Sequence, residues 1–90
     1  MPKTIYKYPL EVTDLQELEL PEGAEILTVQ MQTGVPCLWA LVDPTADKKC
    51  RLIRIAGTGH FLNDEIEHRY IGTFQMAGGQ LVFHAFEVLA

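Results

Sequence analysis

Short alternating runs, each closed by a turn signal after a few residues, constrain this chain more than any other feature. Glu17-Leu-Glu-Leu-Pro21 alternates strictly, and so do stretches within Thr4–Leu10, Ala24–Thr33 and Gln80–Leu89. A period of two sends successive side chains to opposite faces of a strand, whereas a helix face needs about 3.6. Pro21-Glu-Gly-Ala24, Thr33-Gly34 and Gly78-Gly79 interrupt the runs, and these are the residues that tight turns favour. The pattern predicts an all-β domain: a small antiparallel β-sandwich or partly open barrel of about seven strands, mostly from sequential hairpins.

Alternation also predicts which side chains face inward. Leu18 and Leu20 point to the core, with Glu17 and Glu19 in water. Leu27, Val29 and Met31 share an apolar face opposite Thr28, Gln30 and Gln32. Val35–Val42 is apolar on both faces, as in a strand buried on two sides, and Trp39 and Cys37 lie within it. The polar stretch Asp43–Lys49 is expected to join it to the next strand as a hairpin. Phe61–His68 reads as an exposed loop with one helical turn. In Arg69–Ala77, alternation groups Tyr70, Phe74 and Met76 on one face. Gly72 interrupts that strand and marks a bulge or a close approach. Gly78-Gly79 reads as a two-residue hairpin turn before Gln80–Leu89.

The stretch richest in chemistry is Arg51-Leu-Ile-Arg-Ile-Ala-Gly-Thr-Gly-His60. It reads as a strand running into a glycine-flanked polar tip. Arg51, Ile53 and Ile55 share one face; Leu52, Arg54 and Ala56 share the other. Gly57 and Gly59 permit close approach of another group, and Thr58 and His60 add a hydroxyl and an imidazole. An arginine fork suits carboxylate or phosphate, and equally an acidic residue of a neighbouring strand. Trp39 or Tyr70 offers a flat ring for stacking. Arg51, Arg54, Gly57, Thr58, Gly59, His60, Trp39 and Tyr70 are therefore the candidate ligand-binding residues. Gly57-Thr-Gly59 opens no helix, so it supports neither a dinucleotide fingerprint nor a phosphate loop. His84, between Val82 and Phe86 on one face, reads as a core histidine bonded to a neighbour, and His68 as solvated. No close spacing of His or Cys suggests a metal site, and no cofactor is expected.

Ninety residues make one domain, 1–90. Twelve acids against seven bases give a net charge of −5, which argues against general nucleic-acid binding. The hydrophobic fraction of 48% is generous for so short a chain, so a homo-oligomer is expected to cover part of it. Cys37 and Cys50 form no disulfide framework. The first residues lack an apolar signal core and no run reaches the length of a membrane span. The expected location is the cytoplasm, the host's if the chain is phage-encoded.

The chain resembles a family of small uncharacterised bacteriophage and prophage proteins of about ninety residues. The resemblance is carried by Thr4-Ile-Tyr-Lys-Tyr-Pro-Leu10, Pro21-Glu-Gly-Ala-Glu-Ile-Leu27, Val35-Pro-Cys-Leu-Trp-Ala-Leu-Val-Asp43, Ile55-Ala-Gly-Thr-Gly-His60, Tyr70-Ile-Gly-Thr-Phe-Gln75 and Leu81-Val-Phe-His84. It implies a phage accessory protein that acts on something of the host's. By analogy with compact phage proteins that sequester nucleotide immune signals, the expected function is binding of a small anionic, nucleotide-derived ligand without turnover. The alternatives are a protein-interaction module that inhibits a host protein, and a small hydrolase using His60 as general base.

Overall fold

The computed structural model describes residues 2–89. It is all-β: β1 (Thr4–Pro9), β2 (Leu15–Pro21), β3 (Glu25–Gln32), β4 (Val35–Val42), β5 (Lys48–Gly57), β6 (Glu67–Met76) and β7 (Leu81–Leu89). They form two antiparallel sheets, β1-β4-β3 and β2-β5-β7-β6, that do not close into a barrel. Among the described residues, no helix is long and apolar enough to cross a membrane.

Several predicted features hold. Thr33-Gly34 joins β3 to β4 as a two-residue turn between paired Gln32 and Val35. Both turn residues have positive φ, 51° and 80°, which matches the twist of the flanking strands. Leu20, Leu38, Val42 and Ile53 are fully buried, and Glu17 and Glu19 are exposed on β2. Burial on both sides of β4 also holds in part. Leu38, Ala40 and Val42 enter the core, and Cys37 on the opposite face is buried too. Lys7 Nζ donates to Gln32 Oε1 at 2.7 Å, from β1 to β3. That bridge must pass over β4, which lies between them.

Other features differ. β4 and β5 do not form a hairpin. Both edges of β4 are already paired, with β1 and β3, so residues 43–47 carry the chain across to the other sheet. Asp43 shapes that crossing by accepting from the Thr45 amide at 3.0 Å and hydroxyl at 2.7 Å. The β6–β7 connection is longer than two residues. Met76 pairs with Leu81, and Ala77, Gly78 and Gly79 all take positive φ in a short 3-10 turn. No helical turn forms between Phe61 and His68; His68 lies inside β6, half-buried, with its ring edge-on to Phe86.

Two bulges break the alternation. In β3 the register shifts between Ile26 and Thr28, so Ile26 packs against the core and Leu27 is 42% exposed. In β6 it shifts between Tyr70 and Gly72. Tyr70 therefore leaves the face of Phe74 and joins that of Thr73, contrary to simple alternation. The sheets meet at this second bulge. A Cβ added to Gly72 would lie 2.9 Å from Val29 Cγ1 on β3 and 3.5 Å from the Val29 carbonyl oxygen. Only glycine lets the strand backbones cross so closely.

A guanidinium ties the β2–β3 turn to the second sheet. Arg51 donates through Nε and Nη2 to both carboxylate oxygens of Glu87, and through Nη1 to the Ala24 carbonyl at 2.9 Å. Glu87 is only 4% exposed. The fork geometry satisfies a carboxylate that burial would otherwise penalise, and it holds the Arg51 pKa above its ordinary value.

Candidate functional site

Strand register maps the outer face of the β2-β5-β7-β6 sheet row by row. Leu15, Arg54, Phe86 and Tyr70 stand side by side across its four strands. The next row holds Ala56, His84 and Thr73. Beyond Ala56 the chain leaves β5 at Gly57, and Thr58 projects over the same face. Leu52, Val88 and His68 form the row on the other side. The small side chain of Ala56 leaves a depression between taller neighbours.

A chain of hydrogen bonds crosses this face. Tyr70 Oη lies 2.6 Å from Thr73 Oγ1. Thr73 Oγ1 lies 3.0 Å from His84 Nδ1, and His84 Nε2 lies 2.7 Å from Thr58 Oγ1. Each hydroxyl both donates and accepts, so the chain runs in either direction according to the His84 tautomer. The β6 bulge makes it possible, because it turns Tyr70 outward beside Thr73. His84 is thus half-buried on the outer face, not in the core, and both ring nitrogens have side-chain partners.

The glycine tip folds back on the end of β5. His60 packs its ring on Gly57, where an added Cβ would lie 3.1 Å from Cε1. The Gly57 amide donates to His60 Nδ1 at 3.3 Å, and the His60 amide donates to the Gly57 carbonyl at 3.0 Å. Thr58 is anchored by its amide to the Val82 carbonyl at 3.2 Å. Arg54 holds the following loop through Nη2 to the Phe61 carbonyl at 3.3 Å. Its Nη1 lies 3.5 Å from Asp14 Oδ1 and 3.5 Å from the Asp14 carbonyl.

A recess of about 440 Å³ opens at the tip beside Thr58, Gln80 and Val82, and two more lie on the face itself. One of about 250 Å³ is bordered by Ala56, Thr58, His60, Leu62, His84 and Phe86. The other, about 330 Å³, is bordered by Leu15, Arg54, Phe61, Ile66, His68 and Val88. The first is a hollow floored by Ala56 and walled by Phe86, with Thr58 and His84 on its edge; the Tyr70 ring meets Phe86 at 5.6 Å beside it. The second is, like the first, mainly apolar, with a guanidinium on its rim.

The structure thus brings Arg54, Thr58 and Tyr70 to one face, with Gly57, Gly59 and His60 at the tip beside it, where the His60 ring lies on the Ile55–Phe83 side of Gly57. Arg51 points the opposite way, into the cleft between the sheets, where Glu87 engages it. Trp39 stands on the other sheet, half-buried in β4. His84, Thr73 and Phe86 join the site without having been singled out. Their signal was the shared face of Val82, His84 and Phe86, which alternation alone could not assign to core or surface. Among the described residues, no three His, Cys, Asp or Glu side chains gather as metal ligands would.

Fold and face together define a small all-β domain with a polar chain and two recesses on one sheet surface. The chain belongs to a family of domains of unknown function, DUF7352, whose model matches residues 1–90. No curated protein and no solved structure matches it.

Proposed function

We propose that this sheet face binds a small anionic, nucleotide-derived ligand and holds it without turnover. The protein is then a phage-type accessory protein that withdraws an immune signal in the host cytoplasm. The observation that carries the reading is the Tyr70–Thr73–His84–Thr58 chain beside the recess floored by Ala56. A sheet needs no such chain for its own pairing. It presents donors and acceptors already oriented, which lowers the ordering cost of binding. Arg54 stands one row away. Its bonds to Asp14 and Phe61 measure 3.3–3.5 Å, longer than the usual N–H···O distance of about 2.9 Å, so a phosphate competes for it on good terms. The exposed ring of Tyr70 supplies a stacking surface. Arg51 is engaged by Glu87 and Trp39 stands on the other sheet, so neither has a part in this site.

The test is incubation with a panel of cyclic and linear nucleotides, followed by denaturation and analysis of what is released. Intact ligand, depleted from solution, supports sequestration, and altered ligand supports catalysis. Arg54→Lys keeps the charge but loses the planar fork. The expected loss is on the order of ten- to a hundredfold in affinity. Unchanged affinity in a folded Arg54→Lys variant removes Arg54 from the site.

A second reading rests on Phe61, which is 94% exposed, with Leu15 at 53% and Ile66 at 41% around the same recess. Such a patch also suits a protein partner, either a host protein or a second copy in a homo-oligomer. Light scattering decides the second copy, and no nucleotide depletion with capture of one defined host protein favours the first.

A further inference from the structure

We propose that Thr58 and His84 form a nucleophile–base pair able to take an acyl group from an activated ester. It uses the recess assigned above to the ligand but does not depend on that ligand's charge. Its test reads covalent chemistry, which sequestration does not require.

The arrangement has the parts such a pair needs: a hydroxyl within reach of a base, and a third group that orients the base. Thr58 Oγ1 lies 2.7 Å from His84 Nε2 but 3.5 Å from the Val82 carbonyl, its other acceptor. The imidazole is therefore its principal partner. His84 Nδ1 is oriented by Thr73 at 3.0 Å, and Thr73 is held by Tyr70 at 2.6 Å. In the productive direction Nδ1–H donates to Thr73, Thr73 donates to Tyr70, and Nε2 is left to accept the Thr58 proton. Space for an electrophile exists. Thr58 borders recesses of about 250 and 440 Å³. Beside it, Gly59 has φ of 91°, and an added Cβ would meet nothing within 4 Å. His60 does not serve as the base, because its Nδ1 already accepts from Gly57 and its ring lies folded on that residue.

The step balances. Thr58 Oγ forms a bond to the acyl carbon as its proton passes to His84 Nε2. The tetrahedral intermediate collapses and expels the leaving group as its anion. The imidazolium then releases the proton to solvent, leaving acyl-threonine. A hydroxyl, not a carboxylate, stands behind the imidazole, so the cation formed in acylation and again in hydrolysis is not neutralised. With an activated ester the good leaving group speeds the first step alone, so the adduct accumulates. Thr73 and Tyr70 are positioning residues here.

The probe is p-nitrophenyl acetate. The expected result is a burst of one nitrophenolate per chain, with one acetyl group mapped to Thr58 by peptide mass spectrometry. Thr58→Ala abolishes the burst, and Thr58→Ser retains it. His84→Gln lowers the acylation rate roughly a hundredfold or more while circular dichroism and Tm report an intact fold. Thr73→Val alters the pH profile of the burst as well as its rate, which loss of a structural bond alone does not do. Acetyl found elsewhere overturns the proposal. So does a burst that persists in Thr58→Ala and depends on His84 alone, or no burst in a folded parent protein.

Discussion

Gly72→Ala tests the packing on which the whole architecture rests. The added methyl lies 2.9 Å from Val29 Cγ1, well inside carbon–carbon contact, and Val29 is only 2% exposed. Val29 cannot swing into solvent, and its backbone is fixed by pairing with Leu38. The strands must therefore separate by several tenths of an ångström where the sheets cross. Overpacking of this kind costs about 1–3 kcal/mol. Restricting the unfolded chain returns about 0.4–1 kcal/mol, so the net loss is about 1.5 kcal/mol. For a domain of this size that lowers Tm by roughly 6–12 °C. Urea denaturation is expected to show a lower midpoint with an unchanged slope. The control is Val29→Ala, which removes the clashing methyl and leaves only backbone atoms at 3.5 and 3.6 Å. In that background Gly72→Ala is expected to cost almost nothing, a coupling of about 1 kcal/mol or more. If Gly72→Ala matches the parent, or costs the same with Val29 as without it, the close crossing is refuted.

Three further outcomes follow from single contacts. Glu87→Leu leaves the half-buried Arg51 guanidinium without its carboxylate and is expected to cost about 3 kcal/mol in urea; adding Arg51→Met recovers much of that, because an unpaired charge is worse than none. The Thr45 hydroxyl and then its amide hold the Asp43 pKa below its ordinary value of 3.8. A lowered pKa stabilises the folded state above the unfolded value and loses that contribution as pH falls through the folded one. Asp43→Ala is thus expected to be less stable than the parent at neutral pH, with the gap narrowing from pH 3.8 downward; a gap independent of pH contradicts the Asp43–Thr45 contact. Finally, desolvation and then the Glu17 and Glu19 carboxylates push the Cys50 thiol upward. Iodoacetamide at mildly alkaline pH is expected to label Cys50 more slowly than a small free thiol, and Glu17→Gln to speed the labelling.

Much of the fold was legible because one-sided burial imposes alternation. Glu17-Leu-Glu-Leu20 declares both its state and its inward face, and Thr33-Gly34 declares its turn. The β4–β5 connection was not legible in the same way. Asp43–Asp47 is short and polar, as a hairpin loop would be, and nothing in it records that β1 and β3 already occupy both edges of β4. Strand partnership is a property of the assembled sheets, and hydrogen-bond pairing leaves little trace in side-chain type. Bulges escape for a related reason. Ile26-Leu-Thr-Val29 offers apolar residues at both phases of the alternation, so one extra residue shifts the face without violating the pattern.

The candidate site depends on the same irregularity that joins the sheets. A strand of strict period two through Tyr70, Gly72 and Phe74 would place all three on one side. The bulge separates them: Gly72 turns inward against Val29, while Tyr70 turns outward opposite Phe86 and reaches Thr73. Bulges commonly re-aim a side chain in this way. The sequence marked Gly72 as a break, but the consequence for Tyr70 needed the neighbouring strand, since it is Phe86 and His84 that fix which side is outward. The residues best recognised beforehand, Arg54 and the Gly57–His60 tip, are those whose chemistry is unusual for a strand end. Those missed, Thr73 and His84, are ordinary strand residues that acquire a role only from the three elements that bring them together. That dependence also makes the site sensitive at a distance: displacing β6 at Gly72 moves Tyr70 and Thr73 relative to His84 on β7.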